Sequence, residues 1–158
     1  MAIQTISLSH IAKRWAEALS NDEKINTFCE KHYHRKLNLY IGYDEADAPN
    51  EEDCPCAILL INSKGEGLAE QYTYTLCVIW GIFQKSVTRK DNIVTYEGTF
   101  ESDELGQLII ECIAGINPSY PVINIDYECD NLSWRPVYPG RATLTIEMPH
   151  VIGGMIEY

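Results

Sequence analysis

Two close pairs of side chains carry the most obvious chemistry in this chain: His32 and His34 around Tyr33, and Cys54 and Cys56 around Pro55. Imidazole nitrogen and thiolate sulfur are the ligands zinc prefers, and four of them would complete a tetrahedral site. Two details count against that use. Ligands one residue apart lack the two- to four-residue separation of structural zinc motifs, and six carboxylates precede the cysteine pair with no further His or Cys cluster beside it. A strand start and a basic surface turn account for the same residues, so no metal or other cofactor is expected.

Nucleophilic chemistry fares no better. No Gly-x-Ser-x-Gly turn occurs, and Gly65-Glu66-Gly67 lacks the remaining glycines and the Lys-Ser/Thr that a phosphate cradle needs. The acidic run holds Asp44, Glu45, Asp47, Glu51, Glu52 and Asp53, six acids within the eleven residues 43–53. It lacks the central glycine and the ligand spacing of a calcium loop, so it reads as an exposed, solvated loop turned by Pro49 and Asn50. Trp134-Arg135-Pro136 is a packing turn. The residues therefore point away from an enzyme.

Composition narrows the partners. With 158 residues and 46% hydrophobic content the chain is expected to form a single domain, 1–158, around one core. A formal net charge of -11 removes the basic surface that phosphate binding requires, so direct nucleic-acid binding is not expected. No segment reaches the apolar length of a membrane span, and the first residues show no basic region followed by an apolar run. Six cysteines scattered through core-like segments read as free thiols, which suits a reducing cytoplasm. Ten tyrosines against three phenylalanines favour half-buried sheet faces and protein interfaces.

The elements that must position these residues are led by one strand, Tyr72 to Phe83. Tyr72, Tyr74 and Leu76 alternate with Thr73 and Thr75, and from Cys77 onward both faces are apolar. The pattern predicts a central strand whose second half is covered on both faces and whose tyrosine-bearing first half meets a neighbouring copy. Ser7 or Ser9 is expected to cap a first amphipathic helix through about Leu19, and Ser20-Asn21-Asp22-Glu23 to form the capping box of a second. Leu37 to Ile41 and Cys56 to Asn62 read as strands, and Gln84 to Glu97 as an extended hairpin or an arm. Ser102 is expected to cap a third helix, Asp103 to Ala114, with Leu105, Leu108, Ile109, Cys112 and Ile113 on one stripe. A strand beginning at Val122 and an alternating strand from Arg141 to Met148 close the chain. Strands adjacent in sequence with segregated helices make the fold α+β: a mostly antiparallel sheet of about five strands, with N-terminal helices and one later helix packed on it.

This layout resembles a known family. An N-terminal helical region, a Lys-Leu-Asn-Leu-Tyr-Ile-Gly strand, an acidic Pro-bearing loop and Asp53-Cys54-Pro55-Cys56-Ala57-Ile58 precede a long strand through Trp80-Gly81. With the late helix Leu105 to Ile113 and a closing Thr-rich strand, the chain looks like the tail-terminator or tail-completion proteins of long-tailed phages and prophages. The resemblance implies a non-enzymatic subunit that forms a homo-oligomeric ring, often a hexamer, at the head-proximal end of the tail tube. It also implies contact with other tail or head-joining proteins, and a location in the host cytoplasm during assembly and then in the virion. Negative charge suits a ring through which DNA passes without sticking. The interface residues expected on this reading are Tyr72 and Tyr74, with Asp44, Glu45, Asp47, Glu51, Glu52 and Asp53. An acidic immunity or inhibitor-type protein that masks a basic partner through the same acidic loop is the alternative.

Overall fold

Serine 7 starts the first helix by accepting the His10 amide on its hydroxyl, 3.1 Å away. The computed structural model describes residues 6–65, 71–116, 121–129 and 135–149. Helix α1 (Leu8–Asn21) buries Ile11, Ala12, Trp15 and Leu19 on one face, the predicted amphipathic stripe. Helix α2 (Glu23–Tyr33) is capped by Asp22, whose carboxylate accepts the Ile25 amide at 2.9 Å. Ser20, expected to be that cap, lies inside α1. The aspartate fits better, since its charge also meets the positive end of the α2 dipole.

The strands follow in chain order as β1 (Asn38–Ile41), β2 (Cys56–Gly65), β3 (Gln71–Phe83), β4 (Val87–Lys90) and β5 (Ile93–Tyr96), and after a third helix as β6 (Val122–Cys129) and β7 (Val137–Pro149). Five of them form one sheet in the order β1-β2-β3-β7-β6, antiparallel except for the parallel β1–β2 edge, while β4 and β5 pair separately as a hairpin. The fold is α+β, with β3 at the centre of the sheet as its residue pattern predicts.

Burial along β3 alternates as far as Trp80, after which Gly81 and Ile82 are both buried. Tyr72, Tyr74, Leu76, Val78, Trp80 and Ile82 are buried under the helices together with Ala57 and Leu59 of β2 and Ala142, Leu144 and Ile146 of β7. On the opposite face Thr73 is exposed, and Thr75, Cys77, Ile79 and Phe83 are half-buried. The expected double coverage from Cys77 onward is therefore corrected: helices cover one face throughout, and the other is open apart from the loop described below.

Helix α3 (Glu97–Ala114) begins six residues earlier than the serine cap predicts. Ser102 is fully buried in its second turn, where its hydroxyl donates to the Tyr138 carbonyl at 3.1 Å and its own carbonyl accepts the Trp80 indole N–H at 2.9 Å. Gly98, Ser102 and Gly106 stand at four-residue spacing, so α3 presents one stripe of small residues to the sheet. That stripe sets the distance of approach. A Cβ on Gly98 would lie 2.2 Å from the Tyr138 ring, and one on Gly106 2.3 Å from Trp80 Cζ2. Across the indole, a Cβ on Gly140 of β7 would also fall 2.3 Å from Cζ2, so Trp80 is gripped between two bare backbones.

Candidate functional site

The segment Val87 to Tyr96 is built like an outlying arm. Two runs of four residues, Val-Thr-Arg-Lys and Ile-Val-Thr-Tyr, flank Asp91-Asn92, and Asp91 takes the left-handed conformation that its short polar side chain tolerates in turns (φ 56°). Every residue of β4 is exposed, as are Ile93, Val94 and Tyr96 of β5. Ile93 is 63% exposed and Phe100, one turn into α3, is 58% exposed. Val87, Ile93, Val94, Tyr96 and Phe100 therefore put apolar side chains into solvent on and beside the arm.

The arm is held at its root by a polar cluster. Glu101 of α3 is only 7% exposed, and its two carboxylate oxygens accept the Gln84 side-chain amide at 3.2 and 2.9 Å. The Gln84 carbonyl oxygen in turn accepts the Ser86 amide at 3.0 Å, and the Glu97 amide donates to the Ser86 carbonyl at 3.1 Å, closing the base of the hairpin. His32 Nδ1 lies 3.4 Å from Glu101, on the side facing α2. Beside it the Tyr33 hydroxyl is buried without a well-formed hydrogen bond, and burial first, then the Glu101 charge, push its phenol far above the ordinary range. The cluster fixes where the arm leaves the body. Around the arm stand Lys85, Arg89, Lys90 and Arg135, the last with its guanidinium 4.3 Å from the Tyr96 ring centre.

The acidic loop makes a second surface, on the open face of the sheet. Two short 3₁₀ turns, Glu45–Asp47 and Glu51–Asp53, give it a definite shape. Asp44 accepts the Ala46 amide, and Asn50 and Asp53 cap one another reciprocally. Arg35 donates to the Glu52 carbonyl at 2.8 Å and Asn38 to the Asp53 carbonyl at 2.8 Å, tying the loop to the body. Asp44, Glu45, Asp47, Glu51 and Glu52 are exposed and Asp53 is half-buried. Between loop and sheet runs a groove of about 520 Å³, lined by Tyr43, Pro49, Ile58, Ile79, Val137 and Pro139 among others, with Gly81 leaving its floor bare.

Cys54 and Cys56 also face this groove. Both thiols lie 3.8 Å from the point where a Gly81 Cβ would stand. The Cys56 thiol donates to the Cys54 sulfur, which lowers the Cys54 pKa with help from Arg35, while the same bond and burial raise that of Cys56. The histidine pair does not join them: among the described residues no three His, Cys, Asp or Glu side chains come together in a way that could hold a metal ion. His32 is turned toward Glu101, and His34 ends α2 in the left-handed conformation.

The predicted interface residues thus divide. The six acids of residues 43–53 lie together on one loop. Tyr72 and Tyr74 are corrected: they are 1% and 0% exposed, on the helix-covered face, and their side chains belong to the core. The threonines between them hold the wet face. The hairpin expected within Gln84 to Glu97 is present as β4 and β5, but its exposed apolar residues and buried Glu101 are not among the predicted interface residues, and nothing in the sequence marks Glu101 as buried. Trp134 lies outside the described residues. Compared with models of known protein families and with curated proteins, the chain matches none.

Proposed function

We propose that this chain is a structural, non-enzymatic tail-terminator or tail-completion subunit of a long-tailed phage or prophage. In this reading copies of it close into a ring, such as a hexamer, at the head-proximal end of the tail tube and there meet tail and head-joining proteins. The observation that carries the reading is the arm: a two-stranded hairpin is marginal alone in water, yet Val87, Ile93, Val94 and Tyr96 stand exposed on a root fixed by buried Glu101. Such an arm is suited to being covered on assembly. The layout of the chain supports the more specific identification through its resemblance to terminator proteins.

Sedimentation velocity across a wide concentration range, with negative-stain electron microscopy of the largest species, tests the proposal. Concentration-dependent formation of closed rings with an axial channel is expected; a chain that stays monomeric at the highest concentration overturns it. The shaped acidic loop favours a second reading, an acidic inhibitor of a basic protein. A monomer that forms a tight one-to-one complex with such a partner would establish that reading instead.

A further inference from the structure

We infer that the arm docks into the groove beneath the acidic loop of a second copy of this chain. The inference rests on the ring reading above and names the two surfaces that meet in it. They are complementary in shape class and in charge. The arm is a short apolar ridge of four-residue strands, about 14 Å long at the usual rise per residue. The groove is an apolar trench of about 520 Å³ whose floor is left bare by Gly81.

Charge points to a copy of the same chain. Among the described residues Lys85, Arg89, Lys90 and Arg135 stand around the arm with Asp91, Glu97 and the buried Glu101, in a protein whose formal net charge is -11. Glu51 lines the groove, and Asp44, Glu45, Asp47 and Glu52 are exposed on the same loop, where Arg35 is bonded to the Glu52 carbonyl. A basic ridge on an acidic molecule finds an acidic, apolar seat on the next molecule, and unlike charges at the rim steer encounter and fix register. Among the described residues the hairpin strands pack essentially on each other.

The contact is head-to-tail, since the patch offered and the patch received are different. A heterologous contact of this kind closes into a ring or runs on as a fibre, according to the rotation between copies. Val87, Val94 and Tyr96 share one face of the hairpin and fill the trench, and Arg89 on that same face lies against Glu51 and Glu52. Raising salt weakens the contact without abolishing it, because screening removes the rim attraction and leaves apolar burial in place.

Reversed charges on the two exposed surfaces test the pairing without touching the core. Arg89→Glu with Lys90→Glu reverses the arm, and Glu51→Lys with Glu52→Lys reverses the rim. Each double variant should keep the wild-type circular-dichroism spectrum and lose association by about ten-fold or more in sedimentation velocity. An equimolar mixture of the two should recover assembly, because each arm then finds an oppositely charged rim. If the wild-type chain assembles and either variant alone assembles equally well, or the mixture fails to recover assembly, the docking is overturned while the ring reading stands. A wild-type chain that never associates overturns both.

Discussion

The grip on Trp80 gives the sharpest test of the fold. In an ordinary helix interior Gly→Ala stabilises by about 1 kcal/mol through backbone entropy. At Gly106 the new methyl would stand 2.3 Å from Trp80 Cζ2 and 2.7 Å from the Tyr127 hydroxyl. The indole has nowhere to go, since the backbone of Gly140 bounds its other side and its N–H is held by the Ser102 carbonyl. Overpacking of this kind costs about 1–3 kcal/mol, and displacing α3 to relieve it strains a buried hydrogen bond worth about 1–3 kcal/mol more. After the propensity gain is subtracted, Gly106→Ala should destabilise by about 1–5 kcal/mol, a fall in Tm of about 2–20 °C for a chain of this length. Urea denaturation followed by far-ultraviolet circular dichroism measures it. Gly115→Ala is the control, because a Cβ there meets nothing closer than the Glu111 carbonyl at 3.4 Å, and its effect should stay within about 0.5 kcal/mol. Trp80→Phe, which makes room beside Gly106, should recover part of the loss in a double-mutant cycle. A stabilising Gly106→Ala, or strict additivity with Trp80→Phe, would refute the close approach of α3 to β3.

Two further outcomes follow from burial. Val78→Asp places an unpaired carboxylate at a fully buried position and should abolish soluble expression, whereas Thr73→Lys on the exposed face of the same strand should leave the urea midpoint nearly unchanged; equal tolerance at both positions would contradict the one-sided coverage of β3. Burial pushes the Cys29 thiol up to about 12, so the unfolded chain releases that proton first; stability is full below the ordinary thiol value of 9.0 and falls by about 1.4 kcal/mol per pH unit from there up to about 12. Denaturation midpoints measured across that range should fall less steeply for Cys29→Ala than for the wild type, and parallel slopes would remove Cys29 as a contributor.

Much of the architecture was legible because it depends on periodicity. The alternation of Tyr72 to Phe83, the stripe of Leu105, Ile109 and Ile113, and the alternating closing strand each predict an element that the fold contains. Alternation separates two faces but does not say which one is covered. The polar tips of Tyr72 and Tyr74 suit an interface, yet beside threonines they are the more apolar residues, and in a sheet roofed by helices on one side they go inward. Ser102 misled for a related reason. A serine before Asp-Glu is a cap signal, but the same hydroxyl spans the helix–sheet gap when small neighbours bring the two backbones close, and that closeness depends on Trp80 and Gly140, remote in sequence. The acidic loop was read as exposed, and so it is. Its role as one wall of a groove depends on Arg35 and Asn38 tying it down, which no local pattern reveals.

The core is separate from the exposed arm and acidic loop, and this separation makes the proposed assembly testable. Residues that hold the molecule together, from Ile11 and Trp15 through Trp80 to Leu144, lie in one core on the helical side. The arm and the groove rim contribute almost nothing to that core: β4 is exposed along its length, and Glu51 and Glu52 present side chains to solvent while their backbone groups shape the loop. Reversing charges there changes what the molecule meets while the core packing stays as it is. A polar bridge from the core to the arm is Glu101, buried in α3 and bonded to Gln84 at the foot of the arm. Through that carboxylate the position of α3 on the sheet, set by Gly98, Ser102 and Gly106, also sets the direction in which the arm leaves the body. A change that shifts α3 outward should therefore weaken association as well as stability, whereas a change confined to the arm's tip should weaken association alone.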